Sequence, residues 1–375
     1  MRVLIFTSSG GTAHDAAAYA LRDWLRLRQP ATEVLVEHVL ENASPVTRGG
    51  VELYNWIQRR QPWLHQLYWR LVEFEDLVKP GRPLFGRRYV IALLRRFRPD
   101  LVISTHPHIN RGHFDLAKRV LGPQVRCITC NTELEGGFGF SRNWICAAAD
   151  RHWTQTPQVS AEVSRRRWSM ARYPAERVRC LGPLLYPAFH EGAAAPAEPP
   201  QRPRLVLASG ANGANNHIPL LEQLLPLADR LELVALCGRR DAVRQELLQW
   251  AQRHPQLRLE VLGFQGPEQM AALYRSAWAH VARPGARTAT EALFMGCPLI
   301  FNRMGSTMPQ ESLAVRYFQR RDLATSIRSP GQLRQVVGGW LKAPERYAEL
   351  RQRYQSHRLT SDPDAILASL VAPQA

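Results

Sequence analysis

Short apolar runs alternate with longer amphipathic ones along this chain, and the alternation happens twice. RVLIFTS (2–8), EVLVEHV (33–39), DLVIST (100–105), VRCITCNT (125–132), RHWTQT (151–156) and ERVRCLG (176–182) read as strands, with helical patterns at 13–28, 87–97, 111–121 and 157–170. A second series follows: RLVLASG (204–210), LELVALCG (231–238), LRLEVLG (257–263), AWAHVA (277–282), CPLIFN (297–302) and LATSI (323–327), separated by helical patterns at 217–229, 240–254, 267–275, 288–295 and 309–319. Strands that alternate with helices need right-handed crossovers and give parallel sheets covered on both faces. A chain of 375 residues exceeds one ordinary core. The Ala/Pro-rich stretch GAAAPAEPPQRP (192–203) reads as a linker. The expectation is an α/β protein of two doubly wound, Rossmann-like domains facing across a cleft, spanning 1–191 and 204–355, with a polar C-terminal tail at 356–375. Such sheets bind ligands beyond the carboxyl ends of their strands.

The formal charge of +17 suits an anionic partner surface. Only Lys79, Lys118 and Lys342 are lysines, so an arginine-rich composition accounts for the charge equally well. Cys127-x-x-Cys130 lacks a second ligand pair, which disfavours zinc, and thiols inside apolar runs fit a reducing cytoplasm. The apolar run in MRVLIFTSSGG is too short for a signal peptide, and no run approaches the roughly 20 apolar residues of a membrane span. Any membrane contact is expected to be peripheral.

Three turns carry candidate chemistry. SSGGTAH (Ser8–His14) follows the first strand; Gly10 and Gly11 let the backbone approach a ligand, and His14 at that turn can take a proton from an alcohol or simply cap its helix. ASGANGANNH (Ala208–His217) places Gly210, Asn212 and Gly213 in a polar turn suited to a phosphate, or in an ordinary loop; it lacks the Gly-Lys-Ser/Thr of a P-loop. In HVARPGARTATEALFMGCPLIFN (280–302), Arg283, Gly285, Ala286, Arg287 and Thr288 surround a helix start, and Glu291 is expected in its first turn. Backbone N–H groups and guanidinium there can hold a diphosphate without metal, while a carboxylate accepts both ribose hydroxyls; the bland alternative is a carboxylate complementing the helix dipole. The pair Asp362-Pro-Asp364 lies away from any strand end and reads as a helix start or turn, so no metal-bridged donor is expected.

Residues 50–86 interrupt the alternation. Tyr54, Trp56, Trp63 and Trp69 interleave with Arg59 and Arg60, a composition suited to a helical surface in a headgroup region, though some of these aromatics are expected to pack on the first sheet. Single-stranded nucleic acid would suit the same interleaving, but no nucleic-acid-binding motif accompanies it and none is expected as a partner.

The run LGFQGPEQMAALYRSAWAHVARPGARTATEALFMGCPLIFN, followed by PQES (309–312), resembles the donor-binding half of glycosyltransferase family 28. SSGGTAH, LYNWIQRRQPWLHQLYW and PDLVISTHPH occur in the order of that family's diacylglycerol galactosyltransferase branch. The resemblance implies a GT-B fold, a UDP-sugar donor, inversion at the anomeric carbon and a lipid acceptor. It implies that Glu291 binds ribose, Arg283 to Thr288 the diphosphate, the backbone around Gly263 and Phe264 the uracil, and Gln310 and Glu311 the sugar hydroxyls. His14 takes the place of the family's histidine. The family usually has a glycine just before that histidine and Thr-Asp after the fourth strand, where this chain has Thr12-Ala13 and Thr132-Glu133, so His106 and Glu133 stay as alternative catalytic groups. The expected enzyme moves a hexose, galactose ahead of glucose, to a diacylglycerol-type hydroxyl, on the cytoplasmic face of a membrane and without a cofactor. A UDP-N-acetylglucosamine 2-epimerase of the same architecture and a non-enzymatic binding module are the rival readings.

Overall fold

The computed structural model describes residues 1–60, 64, 66, 67, 69, 70, 85–165, 173–191, 202–208 and 216–371, without the side chains of 58–60 and 371. The chain forms two compact units, one built from Met1–Ile57, Leu64–Pro187 and Thr360–Ala375, the other mainly from Ala188–Leu359.

The first unit holds six strands, β1 (Arg2–Thr7), β2 (Glu33–His38), β3 (Leu101–Ser104), β4 (Arg126–Cys130), β5 (Arg151–Thr154) and β6 (Val178–Cys180), in the order β2-β1-β3-β4-β5-β6. Every pairing is parallel, with Val3 opposite both Val34 and Leu101. Val3 to Phe6 are buried on both faces, as an unbroken apolar run requires of a central parallel strand. The helix Thr12–Arg28 puts Ala16, Ala17, Ala18 and Ala20 inward, and side chains this small let it lie close to the sheet. Leu21 and Leu25 join Ile5, Ile103 and Ile128 in the core; each such fully buried aliphatic stabilises the unit by about 1.5–3 kcal/mol. The strand order reverses between β1 and β3, so the turns after these two strands open the crevice where doubly wound sheets take ligands.

The second unit repeats the plan with β7 (Arg204–Ala208), β8 (Glu232–Leu236), β9 (Arg258–Leu262), β10 (Ala279–Ala282), β11 (Leu299–Asn302) and β12 (Thr325–Ile327), ordered β12-β11-β10-β7-β8-β9 and parallel throughout. Its reversal falls between β7 and β10.

The C-terminal residues correct the expectation of a polar tail at 356–375. Pro363–Val371 is a helix, and Ile366, Leu367 and Leu370 enter the core of the first unit. These three positions are one helical stripe, i, i+1 and i+4, inside a stretch otherwise marked by charge and proline. Asp362 starts the helix, its Oδ1 accepting the Ala365 N–H at 3.0 Å, while Ser361 donates to the Pro183 carbonyl and Arg151 to that of Ser369. Five of the six cysteines are buried and all six are free; Cys180 is exposed. The expected linker falls, but for 202 and 203, outside the described residues.

Candidate active site

The turn after β1 carries Gly10 and Gly11 into the helix Thr12–Arg28, and the turn after β3 carries His106 and His108. Because β1 and β3 are neighbours, His14 and His106 meet, their rings edge to face with centroids 4.5 Å apart. Trp144 also packs against His14, with ring centroids 5.8 Å apart.

Hydrogen bonds fix the two imidazoles in opposite tautomers. His14 Nδ1 lies 2.7 Å from the Thr105 carbonyl, which can only accept, so Nδ1 carries the proton and Nε2 is left with a lone pair. His106 Nδ1 accepts the His108 N–H at 3.3 Å, so the proton of its neutral ring sits on Nε2. Both Nε2 atoms face the glycine turn. A Cβ on Gly10 would come 3.7 Å from His106 Nε2, and one on Gly11 would come 3.8 Å from His14 Nε2. Gly11 also sits at φ 125, where a side chain is strained. The turn therefore leaves a base and a donor side by side.

Burial sets their charge. Desolvation lowers His14 to about 4 against the pull of the Thr105 carbonyl and Asp15, and it pushes His106 well below the ordinary imidazole value, with the neighbouring histidines adding to the effect. Both are neutral at pH 7. Glu133, third in the loop after β4, moves the other way: burial raises it to about 8, although the nearby Trp144 indole favours its charged form. A carboxyl mostly protonated at neutral pH must lose its proton before it can accept one, whereas His14 already presents a lone pair on Nε2.

Asp15 accepts from the Thr7 hydroxyl at 2.9 Å and faces His38 Nε2 at 3.2 Å, which braces the helix that carries His14. The side chain of Glu41 accepts from the Ser8 hydroxyl and from the N–H and hydroxyl of Ser9. Sequence reasoning missed Glu41 and His38, since nothing in a single chain ties 38 and 41 to a turn some thirty residues earlier.

In the second unit the turn after β10 leads into the helix Ala286–Met295, capped by Gly285 with no side-chain hydrogen bond and open space where a Cβ would stand. The first N–H groups of that helix have no intrahelical acceptors, which makes its start an anion seat. Arg287 Nε holds Glu291 Oε1 at 2.6 Å, and Glu291 is 2% exposed. Arg283 is differently engaged. Its guanidinium grips Glu311 through Nε at 3.1 Å and Nη2 at 2.6 Å and also donates to the carbonyls of Met304 and Ser306. Arg283 and Glu311, expected at the diphosphate and the sugar, are bound to each other here, tying the β10 turn to the helix Glu311–Gln319. Thr288 lies in the first turn of its helix, and Gln310 immediately precedes the helix of Glu311. Gly263 and Phe264 follow β9; Phe264 is exposed, with the Arg239 guanidinium 4.5 Å over its ring.

Gly210, Asn212, Gly213 and Trp63 lie outside the described residues, as do the side chains of Arg59 and Arg60. The helix Pro45–Arg60 buries Val51 and Ile57 and exposes Val46, Leu53 and Trp56, with Tyr54 half-buried. Trp69 packs edge-on against Phe138 at 5.5 Å. Among the described residues no helix is long and apolar enough to cross a membrane, and no group of three His, Cys, Asp or Glu side chains could hold a metal ion.

No family model matches the chain. It is 22% identical over 388 residues to the processive diacylglycerol beta-glucosyltransferase of Bacillus pumilus, covering 99% of this chain and 94% of that one. The crystal structure of Acinetobacter baumannii MurG superposes with a TM-score of 0.59 at 16% identity, covering 98% of both chains. UDP-GlcNAc 2-epimerase from Neisseria meningitidis gives 0.58 at 13%, covering 99% of this chain and 100% of that one. Two six-stranded parallel sheets, each with candidate residues at its strand-order reversal, give this chain the GT-B fold. Its likeness to the diacylglycerol beta-glucosyltransferase, over nearly the whole of both chains, is what supports a family-28-like reading.

Proposed function

We propose that this chain transfers a hexose from a UDP-sugar to a diacylglycerol-type hydroxyl at a membrane surface, inverting the anomeric carbon. The observation that carries the reading is the pair of opposed tautomers beside the glycine turn. An alcohol placed there donates its proton to His14 Nε2 and accepts from the His106 Nε2–H. As that proton moves to His14, the oxygen bonds to the anomeric carbon and the bond from that carbon to the diphosphate breaks, its electron pair leaving with UDP. The growing charge on UDP is met by the N–H groups at the start of Ala286–Met295 and by Arg287, which lower the barrier electrostatically. Glu291 receives the ribose hydroxyls, and the backbone near Gly263 and Phe264 takes the uracil.

Arg283 and Glu311 act in this scheme by bracing the anion seat. Gly210, Asn212 and Gly213 line the donor's phosphates, and Gln310 meets the sugar. The exposed row Val46, Leu53 and Trp56, with Tyr54, Arg59, Arg60, Trp63 and Trp69 near it in sequence, faces an anionic bilayer as a peripheral contact on its cytoplasmic side. The glucosyltransferase relatives move the sugar expectation from galactose to glucose. They also favour transfer over epimerisation, since the fold alone is common to both activities.

The test offers UDP-glucose, UDP-galactose and UDP-N-acetylglucosamine to the full chain on liposomes containing diacylglycerol, with and without anionic lipid, and reads products by mass spectrometry. A hexosyl lipid that appears faster on anionic liposomes is the expected product. Conversion of the donor to its 2-epimer in the absence of lipid would sink the proposal.

A further inference from the structure

We propose that Glu41 is a positioning residue for this transfer, holding the Ser8–Gly11 turn against the two imidazoles; the inference rests on the reading just given. Glu41 sits in the short helix Val39–Ala43 that leaves β2, and β2 lies beside β1 with His38 opposite Thr7. One oxygen of its carboxylate receives three donors: the Ser8 hydroxyl at 3.0 Å, the Ser9 N–H at 2.6 Å and the Ser9 hydroxyl at 2.7 Å. The other oxygen, Oε2, is buried and makes no hydrogen bond. Shutting half a carboxylate away from water and from partners is unfavourable, and nothing about the strand or the helix requires it. What the arrangement secures is the turn.

The hold extends to both glycines. Gly10 N–H donates to the same Ser8 hydroxyl at 3.3 Å, and Gly11 N–H donates to the Ser9 carbonyl at 2.7 Å. Each glycine that faces an Nε2 is thus one hydrogen-bonded step from Glu41. Asp15 fixes the helix bearing His14 through Thr7 and His38, so neighbouring carboxylates anchor the base and the turn separately. Without Glu41, the helix and its imidazole keep their anchor while the floor under the acceptor hydroxyl is free to shift. A misplacement on the order of 1 Å is enough to cost about 100-fold in rate.

Glu41→Ala and Glu41→Gln in the full chain test this, with steady-state rates against UDP-glucose and diacylglycerol in mixed micelles, UDP binding by calorimetry, and thermal unfolding. The alanine variant is expected to lose about 100-fold in kcat and the glutamine variant, which keeps one acceptor oxygen of the right shape, about tenfold. Donor KM and UDP Kd are expected to stay within about twofold, since the proposed donor groups come from the second unit. A merely structural role would lower the yield of folded protein and its Tm but leave kcat per folded molecule at the parent value. Parent kcat in the glutamine variant overturns the proposal, even where the alanine variant fails to fold. A parent chain that binds UDP yet glycosylates no lipid hydroxyl sinks the underlying function and this proposal together; an active parent with unaltered Glu41 variants sinks this proposal alone.

Discussion

The two units share one architecture and place their candidate residues at the same topological position, yet they prepare those residues by opposite means. In the first, burial strips charge from three groups: His14 and His106 are held neutral, and Glu133 is held largely protonated. In the second, Arg283–Glu311 and Arg287–Glu291 keep charge in place at a helix start. Under the proposed function, the difference follows from the two tasks a transfer needs. A base must be uncharged to receive a proton, whereas a seat for a diphosphate needs guanidinium and N–H donors held in place, here by their paired carboxylates. The fold supplies the position, and the side chains after each strand decide the polarity.

That division is most easily broken at His14. His14→Ala is expected to lower kcat by about 1000-fold, the upper middle of the range for removing a general base. UDP affinity is expected to stay at the parent value by calorimetry. A variant that keeps the parent rate would show that the first unit's imidazole is packing, and the comparison would fail there.

Glu291→Ala probes the other half, with a smaller effect. Loss of two hydrogen bonds to a carboxylate is expected to weaken UDP binding by about 100-fold. The rate at saturating donor should change little, because the base is untouched. Were Glu291→Ala to lower the saturated rate and leave the affinity alone, the two units would not divide binding from chemistry.

The position of both candidate sets was legible in the sequence, and the illegible remainder has a physical pattern. Strands and helices showed because apolar periodicity is local, and His14 and Glu291 stood out as candidates because each lies in the helix that follows a strand. Contacts across the sheet order stayed hidden. The meeting of His14 with His106 needs β1 beside β3, and the grip of Glu41 on Ser9 needs β2 beside β1. The ion pair of Arg283 with Glu311 joins residues 28 apart, so each of them reads alone as a free ligand group. The helix Pro363–Val371 was obscured by the charge and proline that begin it.

A third variant sharpens the comparison by adding a function that only the first unit is proposed to hold. Leu53→Ala with Trp56→Ala removes two exposed apolar side chains from the helix Pro45–Arg60. Binding to anionic vesicles, measured by co-sedimentation, is expected to fall at least about tenfold, since each side chain contributes roughly 1.5–3 kcal/mol when buried in an apolar medium. UDP affinity should not move. Unchanged vesicle binding would turn this face into ordinary exposed surface.

The smallest effect tests burial itself, through Glu133→Gln. In the folded chain Glu133 titrates near 8, against an ordinary value of 4.5. The native state therefore keeps a proton that the unfolded chain gives up between those values, and stability falls as pH rises from about 4.5 to about 8. His14 has the opposite sign: its folded value near 4 means that the unfolded chain binds a proton first, so its contribution is lost as pH falls from 6.5 towards 4. Glutamine cannot ionise. Between pH 6 and about 9 the Tm of Glu133→Gln is expected to drop less than that of the parent, by a few degrees for a chain of this size, while between pH 6 and about 4.5 the variant is expected to lose more than the parent, because it lacks the contribution by which Glu133 offsets the histidines there. Parallel curves for parent and variant across the alkaline range would mean that Glu133 reaches water, and the contrast between a unit that discards charge and one that retains it would then rest on the imidazoles alone.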